Sequence, residues 1–560
     1  MTAPLIALWV AFALLGAGHL INREEGPLAW LHSAVAGMMI WGLVGLGVGL
    51  AGLLTPSVFI GITVVSAIGW TRAQLTVPTR WAVVTALVLT APALLDAMGP
   101  LTGVDELYLH GGLAQRMATH EGLLGGPLHP NGSRPLTLQL IYTGLWSSGE
   151  PSSLSWFHWL IASGLMVAIV QIGSLHLGSQ AAGIAAAALL GTSTTIQEAL
   201  GQAASDLPTA LAVLAAMDAC IRGRVRAGII AAATAMSIKY TSAAPLAGIL
   251  LATRLPILVR VFAVGCVAAL VSPWWVRNVL EGLHPLFPFT GWPEPTMAFQ
   301  AVEKWGAGRE VLDFIWLPYR AIFEADPQTY EFHGRLHPLF FACLLALPWG
   351  LRCAANRPWA IAAGIGCIGW AAGPHWLRYA IPTLPLLALA GMATLRLLLN
   401  QRAAWTTAGV LLLGLAPLGL VDMPRQFAQH LNHTQPRASP TDSALSFCNA
   451  HLPDNATVAL MFTWENAALQ RRQILGSVED HIPSRHFILS HADEPLEALH
   501  RSGVTHVLIR NIEFRPALYP SLSRAQFDAE YQQPVSVINH HLLMNADLLF
   551  SSSSHRVYRL

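Results

Sequence analysis

The sequence is poor in charged residues. Asp, Glu, Lys and Arg make up 11% of its 560 residues, whereas 54% are hydrophobic. A soluble protein carries roughly 25% charged residues, so this composition excludes an ordinary soluble chain. The net charge of +1 offers no surplus for binding nucleic acid. Repeated apolar stretches of about 17–25 residues, the length that a hydrocarbon layer requires of a helix, predict a polytopic membrane protein.

Cysteine and lysine are also scarce. The six cysteines are scattered, without the spacing of a disulfide framework or a zinc site. Lysine occurs only at Lys239 and Lys304, so nearly all basic side chains are arginines. No glycine-rich phosphate loop follows any predicted strand, which argues against a nucleotide-binding role.

The apolar segments predict a mainly α-helical transmembrane bundle of about 13–14 spans. The count is given as a range because the two segments near 226–253 are short enough to form one broken pair. The first segment has no cleavage motif, so we expect a retained span rather than a signal peptide. The predicted spans are 4–20, 29–50, 54–70, 81–98, 153–175, 179–196, 206–220, 226–238, 241–253, 256–275, 336–351, 358–373, 379–397 and 404–421.

The same segments predict three regions. Residues 1–80 form additional N-terminal membrane helices, and residues 81–421 form the core with outer loops 99–152 and 277–335. Residues 422–560 are expected to form a small α/β domain outside the membrane, because short strands alternate there with helical stretches. The predicted strands are 457–462, 486–490, 505–510 and 555–560.

Arginine in short loops predicts the orientation, since cytoplasmic loops carry an excess of Lys and Arg. The arginines mostly occupy alternate loops, which we assign to the cytoplasm: Arg23, Arg72, Arg80, Arg222, Arg224, Arg226, Arg254, Arg352, Arg357, Arg396 and Arg402. The segments 99–152, 198–205, 277–335 and 374–378, and everything after 421, then face outward. We therefore predict a multi-pass protein of the inner (plasma) membrane whose functional site and C-terminal domain are extracytoplasmic.

An acid pair, Asp105 and Glu106, opens the first polar stretch after an apolar span. Asp105, Tyr108, Gly112 and Gln115 recur at helical spacing of three to four and are expected to share one face of an interfacial helix. A carboxylate here is suited to general-base chemistry. The alternatives are that Asp105 caps the helix and that Glu106 bonds backbone or an arginine. Asp206, just before Pro208, is expected to open a helix and leaves a secondary role in substrate binding open.

Three cations depart from the rule that outward loops lack them: Lys239, Arg277 and Arg378. Each lies at the predicted outer end of a span, so together they are expected to line a cavity for an anion such as a lipid-borne phosphate. The alternative for each is that its side chain extends to lipid head groups. His110, His120 and His129 fit no compact metal site. No metal ligand is therefore assigned, although a divalent cation stays open as a cofactor.

The order of several short motifs resembles the GT-C superfamily of polytopic glycosyltransferases. It is similar to the bacterial branch of protein-mannosyltransferase-like and lipid A aminoarabinose-transferase-like enzymes, over roughly residues 81–421. The motifs are the acidic pair at 105–106, DLP at 206–208, KYT at 239–241, PWWVRN at 273–278, HPLFPF at 284–289 and RYAIPTLPLLAL at 378–389. The chain departs from the family where GNP often follows the RN motif, because it reads GLHPLFPF from Gly282.

The resemblance implies a transferase that takes a sugar from a polyprenyl-phosphate donor at the outer face of the membrane. The acceptor is expected to be an envelope lipid, glycan or protein. Asp105 matches the essential aspartate of the family, with Glu106 as its paired acid, and the three cations match positions near the carrier phosphate. The remaining predicted substrate-binding residues are Tyr240, Asn278, Tyr379, Asp206 and Arg116.

Two other functions stay open. A transporter or lipid flippase would show internal repeats and charges near mid-membrane. The chain shows no internal repeat, and its charges collect at the outer edge, which favours the enzyme. A non-catalytic envelope scaffold, in which the outer domain carries the function, is the second alternative.

Overall fold

A computed structural model gives the three-dimensional structure. It describes residues 2–22, 25–72, 78–99, 101, 105–120, 122–291, 308, 310–325, 332, 334–398, 440–463, 469–476, 482–512, 514 and 523–560. The predicted span at 404–421 and the predicted domain boundary near 421 lie outside these residues.

Helices dominate the chain up to residue 398. They are α1 (Thr2–Ile21), α2 (Ala29–Leu50), α3 (Pro56–Ala67), α4 (Arg80–Met98), α5 (Gly111–His120), α6 (Thr137–Trp146), α7 (Ser153–His176), α8 (Gln180–Gly191), α9 (Thr194–Leu200), α10 (Asp206–Ile221), α11 (Val225–Ile238), α12 (Ala243–Ala252), α13 (Ile257–Leu280), α14 (Val311–Tyr319), α15 (Leu339–Gly350), α16 (Arg357–Ala372) and α17 (Leu384–Leu398). Within the described residues, five of them are long and apolar enough to cross a membrane unaided: α1, α2, α4, α7 and α13. The short segments near 226–253 form two separate helices, α11 and α12.

Small residues let these helices approach closely. A Cβ atom on Gly173 of α7 would overlap backbone atoms of Gly183 on α8, and one on Gly183 would overlap the carbonyl of Val170. Such contacts stabilise helix pairs inside a membrane, where lipid competes with side chains for apolar contact. The apolar faces of the helices form one large buried cluster that runs from α1 to α17.

Side-chain contacts bring several helix ends together at one end of the bundle. Here Asp218 of α10 binds His32 of α2 at 2.7 Å and His176 of α7 at 2.5 Å. Arg396 of α17 donates to the carbonyl oxygen of Leu177 at the same end, at 2.9 Å. The loops at this end are the ones that the arginine pattern assigns to the cytoplasm. The grouping agrees with that pattern, while the side of the membrane stays a prediction.

The C-terminal part is a small α/β domain. Its five-stranded sheet has the order β2-β1-β3-β5-β4, with β1 parallel to β2 and β3, and β5 antiparallel to β3 and β4. The strands are β1 (Thr457–Met461), β2 (Arg472–Ile474), β3 (His506–Arg510), β4 (Asp547–Ser551) and β5 (His555–Arg559). The helices are α18 (Pro440–His451), α19 (Ile482–Ser490), α20 (Pro495–Arg501), α21 (Arg524–Phe527) and α22 (Gln533–Asn545).

One predicted strand is wrong. Residues 486–490 belong to α19 and not to the sheet. A short apolar run does not distinguish a strand from a buried helix, and Pro483 near the start of α19 favours the helix. Phe487 and Ile488 of this helix are buried in the apolar core beside the sheet. The broader prediction, a helical membrane bundle with a small C-terminal α/β domain, is confirmed.

Candidate functional site

The acid pair lies in a widened helical turn. Asp105–His110 is a π-helical turn that continues into α5, so the α-helical spacing predicted for this face is wrong in its first turn. The side chain of Asp105 lies outside the described part of the structure. Glu106 is buried, and its Oε1 accepts hydrogen bonds from the hydroxyl of Ser155 and, at 3.1 Å, from the backbone N–H of Ala203. This carboxylate therefore joins the acid turn to α7 and to the segment before α10.

Asp206 and Lys239 form a largely buried ion pair. Lys239 Nζ lies 2.5 Å from Asp206 Oδ1, and the two side chains are 18% and 5% exposed. The extended backbone of Lys239 ends α11, while Asp206 is the first residue of α10. Lys239 thus points into the protein and does not extend to lipid head groups.

Lys239 and Arg378 meet at one aromatic ring. Lys239 Nζ lies 4.7 Å from the ring centre of Tyr379, and Arg378 Cζ lies 5.4 Å from the same centre. Arg378 also lies 5.1 Å from the ring centre of Trp376, which stacks on Tyr379. Cation–π contacts orient both side chains, and the charge of Lys239 is also paired with Asp206. The structure therefore brings two of the three predicted cations together.

A second aromatic contact links this group to α13. The hydroxyl of Tyr240, the residue after Lys239, accepts a hydrogen bond from Trp275 Nε1 at 2.8 Å. Its ring lies edge-on to Phe289, at 5.5 Å between ring centres. Arg134, which the sequence did not single out, lies 5.3 Å from the centre of Phe289. Arg134 is thus a further cation at the same end of the bundle.

Arg277 and Asn278 hold two outer loops together. Arg277 is 3% exposed, and its Nη2 donates to the carbonyl oxygen of Gly132 at 2.6 Å. Asn278 Nδ2 donates to the carbonyl oxygens of Ser133 and Phe287 at 3.0 and 3.2 Å. Arg277 Nη1 is buried and has no hydrogen-bond partner among the described residues. Asn278 is therefore occupied by backbone, whereas Arg277 keeps donor capacity for a ligand.

Arg116 lies on α5 and contacts His129 of the same outer segment. Its Nη1 lies 3.1 Å from His129 Nδ1, and since arginine only donates, that nitrogen accepts. Burial, with Arg116 adding to it, holds the pKa of His129 well below its ordinary value. Burial also lowers the pKa of His120 to about 4, with smaller contributions from Arg472 and Arg116. Both histidines are neutral at pH 7.

His110, His120 and His129 are the histidines of the first outer segment. In the described part of the chain, no group of three His, Cys, Asp or Glu side chains lies close enough to hold a metal ion. His110 instead contacts Gln139, at 3.0 Å from its Nδ1 to the amide nitrogen.

The structure and the site define a class: a helical membrane protein in which one end of the bundle gathers a largely buried ion pair, arginines and aromatic rings beside an acid-bearing turn. No protein-family model and no curated protein sequence matches the chain. Among solved structures, it is similar to ArnT from Cupriavidus metallidurans bound to undecaprenyl phosphate, with a TM-score of 0.49 and 14% identity over 85% of this chain and 97% of that one. The apo state of that ArnT gives a TM-score of 0.47 and 15% identity over the same shares.

Arabinofuranosyltransferase AftD from mycobacteria is also similar, with a TM-score of 0.47 and 14% identity over 87% of this chain and 40% of AftD. These similarities concern the overall fold.

Proposed function

We propose that the protein is an integral-membrane glycosyltransferase, which transfers a sugar from a polyprenyl-phosphate donor to an envelope acceptor at the outer face of the membrane. The observation that carries the proposal is the shared contact of Lys239 and Arg378 with Tyr379, beside the Asp206 ion pair. Positive charges held on aromatic rings at one end of an apolar bundle suit a lipid whose phosphate lies at the interface and whose tail lies in the bilayer.

The cations would serve the leaving group. As the sugar leaves, the carrier phosphate gains negative charge, and fixed cations in a site of low water content stabilise that charge. The ion pair with Asp206 orients the ammonium group of Lys239. Arg277 Nη1, a buried donor without a partner in the described residues, is a further group for a phosphate oxygen.

Asp105 would serve the acceptor. It is the first residue of the turn that contains Glu106. Because Glu106 Oε1 accepts from the N–H of Ala203, the turn is attached to the segment that precedes Asp206. In this mechanism Asp105 orients or deprotonates the acceptor, whose hydroxyl or amine attacks the anomeric carbon. A single displacement of this kind inverts the anomeric centre.

Substitution of Asp105 by Asn tests the proposal. Membranes that contain the variant are supplied with lipid-phosphate sugar donors, and transfer to envelope acceptors is followed by mass spectrometry. Loss of a general base lowers the rate roughly 100- to 10,000-fold. Asp493→Asn, an exposed aspartate of the C-terminal domain, is the matched control and is expected to keep full activity. Unchanged transfer by Asp105→Asn would remove Asp105 as the base, and lipid movement without any transfer by the wild type would favour a flippase.

A further inference from the structure

Glu106 is a buried carboxylate that accepts hydrogen bonds from two neutral groups, one on α7 and one before α10. It is 2% exposed, and its Oε1 accepts from the hydroxyl of Ser155 and from the backbone N–H of Ala203. Burial of a carboxylate is costly unless hydrogen bonds replace its water. The two bonds therefore fix the carboxylate against both α7 and the segment that precedes α10.

That segment leads directly to the ion pair. Ala203 and Ala204 are buried, and Asp206 follows as the first residue of α10. Other side chains hold the same stretch: His158 Nε2 lies 2.8 Å from the carbonyl oxygen of Ala199, and the hydroxyl of Tyr142 donates to the carbonyl of Ala204 at 3.2 Å. Asp206 follows Ala203 by three residues, so a displacement of Ala203 would also move Asp206. Asp206 in turn binds Lys239.

We propose that Glu106 is a positioning residue, which ties the turn that carries Asp105 to the Asp206–Lys239 pair and so fixes the distance between the acid and the cation group. This inference rests on the proposed function and departs from the expectation that Glu106 is itself catalytic. Its role needs the Oε1 acceptor in place, and it does not need Glu106 to exchange a proton. A misplacement of about 1 Å between reacting groups costs roughly 100-fold in rate, so such a tie has a large effect.

Three substitutions separate positioning from proton transfer. Glu106→Gln keeps an oxygen at the place of Oε1 and removes the charge and the basicity. Glu106→Ala removes the acceptor altogether, and Glu106→Asp withdraws it by one methylene group. Positioning predicts that the Gln variant keeps activity, whereas proton transfer predicts that it fails like Asp105→Asn.

The first experiment measures initial rates of sugar transfer in membranes over a range of pH. We expect Glu106→Gln to stay within about threefold of the wild type, with an unchanged pH profile. Glu106→Ala and Glu106→Asp are expected to lose roughly 100-fold, mainly in kcat. A loss in Glu106→Gln as large as that in Asp105→Asn would overturn the proposal.

The second experiment needs no activity, so it separates failure of this inference from failure of the proposed function. Hydrogen–deuterium exchange of the peptides covering 199–206 is measured on the protein in detergent. We expect faster exchange in Glu106→Ala, and wild-type exchange in Glu106→Gln and in the exposed control Glu494→Ala. Unchanged exchange in Glu106→Ala would overturn the tie even in an active enzyme. Absence of sugar transfer by the wild type would overturn the proposed function. The hydrogen exchange of residues 199–206 would then still show whether Glu106 holds this segment in place.

Discussion

Asp206 and Lys239 carry opposite charges where little water reaches either side chain. Their atoms lie 2.5 Å apart, with exposures of 5% and 18%. The attraction in such a place roughly balances the cost of removing both charges from water, so the intact pair contributes little net stability. Loss of one partner is different, because the other charge is then buried without compensation.

This asymmetry gives a prediction for the pair. Lys239→Met is expected to destabilise the protein by about 3–5 kcal/mol, since it leaves the Asp206 carboxylate buried alone. Asp206→Asn should cost less, because Lys239 is the more exposed partner. The double variant should be more stable than Lys239→Met. Unfolding in mixed micelles measures all four proteins, and strictly additive losses would contradict a direct pair.

The sequence alone predicted some residues of the site and not others. Lys239 and Arg378 were predicted because Lys and Arg are rare in outward loops, and this rarity can be read from the sequence alone. Arg134 and Ser155 carry no such signal, since an arginine in a polar stretch and a serine at a helix start are ordinary. Their importance comes from contacts with Phe289 and Glu106, which lie far away in sequence.

At the scale of elements, long apolar segments were predictable and local helix geometry was not. A hydrocarbon layer fixes the length and composition of a span, so α1, α2, α4, α7 and α13 follow from hydropathy alone. The π-helical turn at Asp105–His110 has no comparable signal, because one extra residue in a turn leaves the composition unchanged. The spacing of the acid face was therefore wrong although its helix was expected.

The crossing of α7 and α8 gives a prediction about packing. Gly173→Ala is expected to destabilise the bundle by about 1–3 kcal/mol, because its Cβ would overlap the backbone of Gly183. Gly164→Ala, on the same helix, is the control: its Cβ would lie 3.6 Å from Trp30, an ordinary contact. That variant should be neutral or up to about 1 kcal/mol more stable, since alanine favours a helix. Thermal unfolding in detergent measures both, and equal effects would contradict the close crossing.

In the whole molecule, two hydrogen bonds join the C-terminal domain to the first outer segment. Gln115 Nε2 donates to the carbonyl oxygen of Leu469, and the N–H of Leu475 donates to the carbonyl oxygen of Leu128, both at 3.0 Å. Leu128 also packs against the apolar core of the domain. The domain therefore rests on α5, the helix that continues the acid-bearing turn. The alternation of strand and helix patterns predicted the domain, but its docking surface depends on these long-range contacts.

This junction should weaken in acid. His120 and His129 are neutral in the fold because their pKa values are lowered, whereas the unfolded chain takes up protons near pH 6.5. Stability is therefore unaffected above about pH 6.5 and falls below it, by up to about 1.4 kcal/mol per pH unit for each histidine. For His120 the loss is complete once the pH has passed about 4.

Unfolding measured between pH 4.5 and pH 8 tests this dependence. His129→Gln should keep an acceptor for Arg116 and flatten the acid slope, because glutamine does not titrate. His540→Gln, at an exposed histidine, should leave the slope as in the wild type. An unchanged slope in His129→Gln would contradict the predicted linkage.

The orientation of the molecule decides where its chemistry occurs. The first outer segment contacts Arg277 at the end of α13 and Leu469 of the C-terminal domain, so these three parts lie on the same side of the membrane. We expect Asp454→Cys, at a fully exposed position of that domain, to react with a membrane-impermeant maleimide in right-side-out vesicles. Arg254→Cys, exposed in the loop between α12 and α13, should react only in inside-out vesicles. Both are made in a variant without the six native cysteines, so that each label reports one position. The opposite pattern would place the ion pair and the aromatic group at the cytoplasmic face, where a lipid-linked donor would have to be presented from inside the cell.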